Sequence, residues 1–225
     1  MDRVTEDGGR VGAFKRLLLF VLLPLAALMA VALGIAYVSD IPVTDLMRDP
    51  SAVLDGPWYV GVFSTTGIAL WASTAAMCLL ALSAKPTGQA RSLLIAGAVV
   101  SLVLGADDGY LFHETVKNGI GIPSPVTIGL YGVIAVILFA RAWRYMVERP
   151  DFIVIVIAVV LLVLSAGLDA LGEAGLPTPP FSAVIEDVAK FLGIATWATF
   201  FAWLGRDLIR QRSGANSLDV ATPSG

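Results

Sequence analysis

Two short stretches of this sequence carry most of its potential chemistry. Asp107-Asp108-Gly109-Tyr110-Leu111-Phe112-His113-Glu114 holds three carboxylates and the only histidine of the chain. Glu186-Asp187-Val188-Ala189-Lys190 sets two carboxylates before a lysine, and Asp169 and Glu173 lie four residues apart between the two stretches. Together they hold seven of the eighteen acids. Carboxylate-rich ligation with at most one imidazole suits Mn, Ca, Mg or a di-metal carboxylate centre better than structural zinc. One histidine and one cysteine, Cys78, exclude a Cys/His zinc site and any intrachain disulfide. Asp107, Asp108, Glu114, Asp169, Glu173, Glu186 and Asp187 are therefore the candidate ligands of a divalent metal ion. Were the site catalytic, the metal would activate water against a lipid or isoprenoid group, with His113 as base and Lys190 stabilising an oxyanion. No motif for a covalent nucleophile accompanies them.

These residues sit in an unusually apolar chain. Of 225 residues, 57% are hydrophobic and 15% charged, and the mean hydropathy is +0.81. A soluble domain of this size needs a more polar surface, so lipid is the expected solvent. The apolar runs lack the period-two alternation of barrel strands, and each approaches the roughly 20 residues a helix needs to cross a bilayer. The fold class expected is all-α, a polytopic bundle of six transmembrane helices. The helices are read at about 17–39, 58–83, 92–114, 126–147, 151–172 and 182–205. The domain organisation expected is a flexible segment 1–13, a six-helix transmembrane domain 14–209 and a flexible tail 210–225. The first run, uncharged from Leu17 to Ser39, is longer than a signal-peptide core and is read as a retained helix.

Basic residues orient the bundle. Twelve of the fifteen lie on one side: Arg3, Arg10, Lys15, Arg16, Lys85, Arg91, Arg141, Arg144, Arg149, Arg206, Arg210 and Arg212. The loop 40–57 on the other side carries Asp40, Asp45, Asp49 and Asp55 against Arg48. The positive-inside rule then puts both ends of the chain in the cytoplasm, in an inner (cytoplasmic) membrane, and the acidic stretches at the outer helix ends. Trp58 is expected at the outer interface, Trp143 and Trp203 at the inner one. Basic residues scattered over helix ends give no support for nucleic-acid binding.

Depth and spacing sharpen the site. Asp107 lies about 24 Å along its helix, at ~1.5 Å per residue, inside a hydrocarbon core about 30 Å thick. Asp107, Asp108, Asp169, Glu186, Asp187 and Lys190 form an inner set below the headgroups, and His113, Glu114 and Glu173 form a rim. In one continuous helix Asp107 and Glu114 share a face with Leu111 between them. His113 points away from Asp107 unless the helix end bends. Lys190, three and four residues after Asp187 and Glu186, is placed to serve both acids. Charges at such depth cost roughly 2.5–3.5 kcal/mol each on insertion scales, so they must be protonated, paired or cation-bound. Gly105 and Gly109 suit close helix packing. Trp71 and Trp197, near mid-membrane, pack or line a cavity below the cluster.

The pattern Asp107-Asp108-x4-His113-Glu114, Asp169, then Glu186-Asp187-x2-Lys190-x2-Gly193 resembles one in a family of uncharacterised prokaryotic multi-pass membrane proteins. The resemblance covers helices two to six. It implies that the cluster is a unit and carries no activity. Glu186 to Lys190 is also similar to the last helix of microbial rhodopsins. Here, however, the acid-to-lysine spacing is three, six helices are read, and Lys190 lies near the outer end. Three functions follow for comparison. One is a divalent-cation site that acts on a lipid-like substrate. The second is a proton- or ion-coupled carrier or sensor, since buried acids with a lysine and a histidine are what proton relays use. The third is a structural or assembly subunit of a larger membrane complex; separately, the acids are also readable as an ion-pair network that locks three helices together. The bilayer, and a lipid or isoprenoid ligand, are the partners expected.

Overall fold

The computed structural model describes residues 19, 23–40, 61–177, 179 and 181–221, and it falls into two units, residues 1–60 and 61–225. In the first, α1 runs Leu23–Val38 and is apolar throughout. The expected segment 1–13, most of the acidic loop 40–57 and Trp58 lie outside the described residues.

The second unit is a helical bundle: α2 Val62–Leu82, α3 Gly88–Tyr110, α4 Phe112–Ile120, α5 Ser124–Ala140, α6 Trp143–Val147, α7 Phe152–Glu173 and α8 Ser182–Ala221. No strand occurs among the described residues. Four helices, α2, α3, α7 and α8 as far as Ser213, are long and apolar enough to cross a membrane. Helix α5 is apolar but has only 17 residues, about 26 Å at 1.5 Å per residue.

Several helix ends differ from the sequence reading, each for a local reason. The expected helix 92–114 starts earlier and stops at Tyr110, because Leu111 adopts left-handed backbone angles (φ 51°, ψ 47°) and its N–H bonds the Asp107 carbonyl. The chain then restarts as α4, which ends on Gly121 at φ 75°. The expected helix 126–147 divides at Arg141 and Ala142 into α5 and α6. Pro125 sits in the first turn of α5, where a missing N–H costs nothing. Helix α8 continues to Ala221, past the expected end at 205.

The core is aromatic and close-packed. Trp71, Phe200, Phe201, Leu93, Leu94 and Leu204 are all but fully buried. Glycine lets these helices meet. A Cβ on Gly97 would fall 2.3 Å from the Phe201 ring, and one on Gly105 would fall 2.7 Å from Cβ of Trp71. Gly109 has looser neighbours, Ile68 at 3.8 Å. Elsewhere apolar side chains point outward, as do Ile153, Val160 and Val163 of α7. In water that surface would be unsustainable at this extent; against lipid it is ordinary.

The bundle has two polar ends. At one, Arg149 makes a two-point bridge to Asp151 at 2.8 Å and reaches Asp207 of α8 at 3.0 Å. Burial opposes the Arg149 charge, yet hydrogen bonds to Asp151 and Asp207 hold its pKa above the ordinary arginine value. Gln89 accepts the Tyr145 N–H at 2.8 Å, and Arg212 donates to the Ala84 carbonyl at 2.8 Å. The links after α2 and α5 and the Asp207–Arg212 stretch of α8 thus share one end, with Trp143 and Trp203 exposed. The acidic stretches share the other.

Candidate functional site

The break at Leu111 builds the centre of the site. It turns the chain so that His113 comes back over the end of α3. Its Nδ1 lies 2.6 Å from Oδ2 of Asp107, and its backbone N–H donates to Oδ1 at 2.9 Å. Tyr131, from α5, donates its hydroxyl to the same Oδ1 at 3.2 Å. Asp107 has a side chain only 8% exposed, and that of His113 is 15% exposed. A buried carboxylate held by three donors, two from His113 of α4 and one from Tyr131 of α5, has most of its acceptor capacity in use.

Asp108, the next residue, turns toward α2 and α8. Its Oδ1 pairs with Lys190 Nζ at 2.7 Å and its Oδ2 accepts the Trp71 indole N–H at 2.9 Å. Below it, Trp197 stands edge-on to Trp71 with ring centroids 5.8 Å apart and donates to Ser101 at 3.0 Å. Both tryptophans therefore pack, and each also ties a polar group on α3. The rhodopsin-like lysine is thereby spoken for by an acid of another helix.

The third group lies outward. Lys117 of α4 pairs with Glu173 at the end of α7 at 2.6 Å and approaches Glu114 at 3.9 Å. Its hydrogen bond to Glu173, with the nearby Glu114, Glu173 and Asp169 charges, raises its pKa against a smaller burial effect. Buried Ser124, at the start of α5, donates to Glu114 at 3.3 Å. Nε2 of His113 is 4.0 Å from the same Glu114 oxygen. A line of polar groups thus runs from Tyr131 through Asp107, His113 and Glu114 to Lys117 and Glu173.

Three expectations fail here. Asp107 and Glu114 do not share a face, because Leu111 ends the helix between them. Lys190 does not serve Glu186 and Asp187; it reaches across to Asp108. The seven acids do not form one metal centre, and among the described residues no three His, Cys, Asp or Glu side chains converge to hold a metal ion. The cause is pairing. Asp107, Asp108 and Glu173 each have a nearer cation or N–H donor than any common point would offer. Asp169, Glu186 and Asp187 form no side-chain hydrogen bond or ion pair with a described residue. Glu186 feels the charges of Asp169, Asp187 and Lys190, and Asp187 faces outward. Every buried side-chain N or O among the described residues has a partner.

Tyr131, Trp71, Ser124 and Lys117 complete the site and were not read as its members. Tyr131 sits mid-sequence in an apolar run, with no local neighbour to mark it. Lys117 carries a signal: with Arg48 it is one of two basic residues in the loops of the acidic side.

Residues 17–204 match the family described as Domain of unknown function (DUF8692). The chain belongs to that family. Every DUF8692 residue of the three polar groups falls within the matched span. No curated protein and no solved structure matches the chain.

Proposed function

We propose that this DUF8692 chain is a six-span protein of the cytoplasmic membrane, with both ends of the chain on the cytoplasmic side. Its outer end carries a proton relay for proton-coupled transport or sensing. Helix α1 adds a sixth crossing to α2, α3, α5, α7 and α8, and α5 crosses with local thinning of the bilayer. The basic end of the bundle supports the orientation, because Lys85, Arg91, Arg141, Arg144, Arg206 and Arg210 cluster around it.

The observation that carries the relay is the 2.6 Å contact between His113 and a carboxylate only 8% exposed. Imidazole is the side-chain type that exchanges protons near neutral pH. Its Nδ1 holds the buried acid, and its Nε2 faces the outer Glu114. A proton can pass along that axis without the acid leaving its site. An apolar recess lies beside Tyr131. It encloses only about 40 Å³ between Val99, Val100, Val103, Leu104, Tyr131 and Ile134.

Infrared difference spectra of the protein in nanodiscs, stepped between about pH 5 and pH 8, test the relay. Difference bands present in the native protein and absent from Asp107→Asn and from His113→Asn are the expected result. Identical spectra in all three proteins refute it and leave the network as a structural clamp. Proteoliposomes loaded with a pH dye then separate a carrier, which collapses an imposed gradient, from a sensor, which does not.

A further inference from the structure

Helix α4 is amphipathic in an inverted sense. At 100° per residue its side chains divide into three sectors. Phe112, Val116 and Ile120 form an apolar edge. His113, Lys117 and Glu114 form a charged edge, and Asn118 lies beyond it. The charged edge faces the protein: His113 meets Asp107, Lys117 meets Glu173, and Glu114 meets Ser124. The two ends of the apolar edge face away, with Phe112 46% and Ile120 71% exposed, while Val116 between them is half-buried. Leu111, Tyr110 and Ile122 beside it are exposed as well.

An element in water buries its apolar edge and solvates its charges. Helix α4 instead leaves Phe112 and Ile120 exposed and ties its partly exposed charges, Glu114 at 42% and Lys117 at 38%, to neighbouring groups. It also hangs between the ends of two membrane-crossing helices, α3 and α5, so its apolar edge continues their lipid-facing surface. Tyrosine and large aliphatic side chains at that level are what a membrane boundary selects.

We propose that α4 is a membrane-boundary helix. Its Phe112–Ile120 edge lies in the lipid layer at the acidic end of the bundle, its charged edge closes over the Asp107–His113 site, and Asn118 faces water. This rests on the spanning assignment and is independent of the relay. Its consequence is that lipid shields the side of the site that no transmembrane helix covers. Water and protons then enter from the Asn118 side, past Glu114 and Lys117.

Site-directed spin labelling tests it. Cys78 is fully buried, so a single added cysteine can be labelled selectively. Nitroxides are placed by Ile120→Cys, Asn118→Cys and, as a mid-span reference on α7, Val163→Cys, in lipid nanodiscs. Collision rates with oxygen, which enriches in lipid, are compared with those of a water-soluble nickel chelate. The oxygen-to-nickel ratio at Ile120 is expected to approach that at Val163 and to exceed that at Asn118 several-fold. Phe112→Cys provides a second reading of the same edge if Ile120→Cys does not fold. A water-accessible Ile120 beside a lipid-exposed Val163 overturns the inference alone. A label at Ile120 shielded from both reagents also overturns it, because protein and not lipid then covers the edge. A water-accessible Val163 overturns the spanning assignment beneath it.

Discussion

Removing the carboxylate of Asp107 should unlock the outer end of the bundle. In the native chain it accepts from His113 Nδ1 at 2.6 Å, from the His113 N–H at 2.9 Å and from Tyr131 at 3.2 Å. Hydrogen bonds to a charged group contribute about 1.5–3 kcal/mol each, and they do not add in full. Asp107→Ala strands three donors in a site that water barely reaches. The expected loss is about 3–5 kcal/mol, the range for breaking a buried pair by deleting one partner. Asp107→Asn is the sharper variant. Its amide oxygen can still accept from the His113 N–H and from Tyr131, so one charge-assisted bond is lost, at about 1–2 kcal/mol. Tyr131→Phe should cost about 1 kcal/mol, and its cost should largely vanish in the Asp107→Ala background. Reversible unfolding in mixed micelles, followed by tryptophan fluorescence, measures all four proteins. An Asp107→Ala cost below about 1 kcal/mol, within the range of ordinary surface changes, would refute the three-donor site. So would full additivity with Tyr131→Phe.

Other perturbations probe the flanking parts. Lys190→Met leaves Asp108 with only the Trp71 N–H, but the lysine side chain is 44% exposed, so solvent screening should limit the cost to about 1–2 kcal/mol. Adding Asp108→Asn should recover much of it in the same unfolding assay. Gly97→Ala pushes a methyl group to 2.3 Å from Phe201 and should cost about 1–3 kcal/mol by overpacking, whereas Gly132→Ala, with nothing within 4 Å, should not destabilise. Leu111→Gly relieves a left-handed backbone at φ 51° and should raise stability by up to about 1 kcal/mol; thermal unfolding decides. The Lys117–Glu173 tie should follow the raised lysine pKa. A raised folded value means its stabilisation is complete below the unfolded lysine value of about 10.4 and fades as pH climbs through the folded one. A nitroxide at Asn118 should therefore keep its mobility from pH 7 to about 10 and loosen only above that. In Lys117→Met it should be loose at pH 7.

The large pattern of this molecule is legible because lipid imposes it. Runs such as Phe152–Glu173 are long and apolar enough to cross a membrane, which makes them plain in the sequence. The clustering of acids at one end is legible too, since alternate loops must alternate sides. What spacing could not supply was the backbone at Leu111. Leucine is a strong helix former with a penalty for left-handed angles, and nothing local marks it as the place where a helix stops. Had α3 continued, His113 would have pointed away and Glu114 would have joined Asp107. That one residue decides which of two acids becomes the partner of the other's neighbour.

The same logic explains why a cluster that reads as a metal site resolves into pairs. From sequence, acids at a common depth look interchangeable, because the helical wheel fixes direction within a helix and says nothing of what faces it. Across helices the nearest counter-charge wins. Lys190 could meet Glu186 one turn away on its own helix, at a few tenths of a kcal/mol. It meets Asp108 in a half-buried gap instead, where a carboxylate has fewer waters to lose it to. Asp107 and Asp108, with side chains only 8% and 13% exposed, hold donors from neighbouring elements. Glu173, on the rim, holds Lys117. Asp169, Glu186 and Asp187 pair with no described residue. A chemical role in this DUF8692 protein is therefore to be sought at Asp107 and His113, where pairing is tightest and least exposed to water.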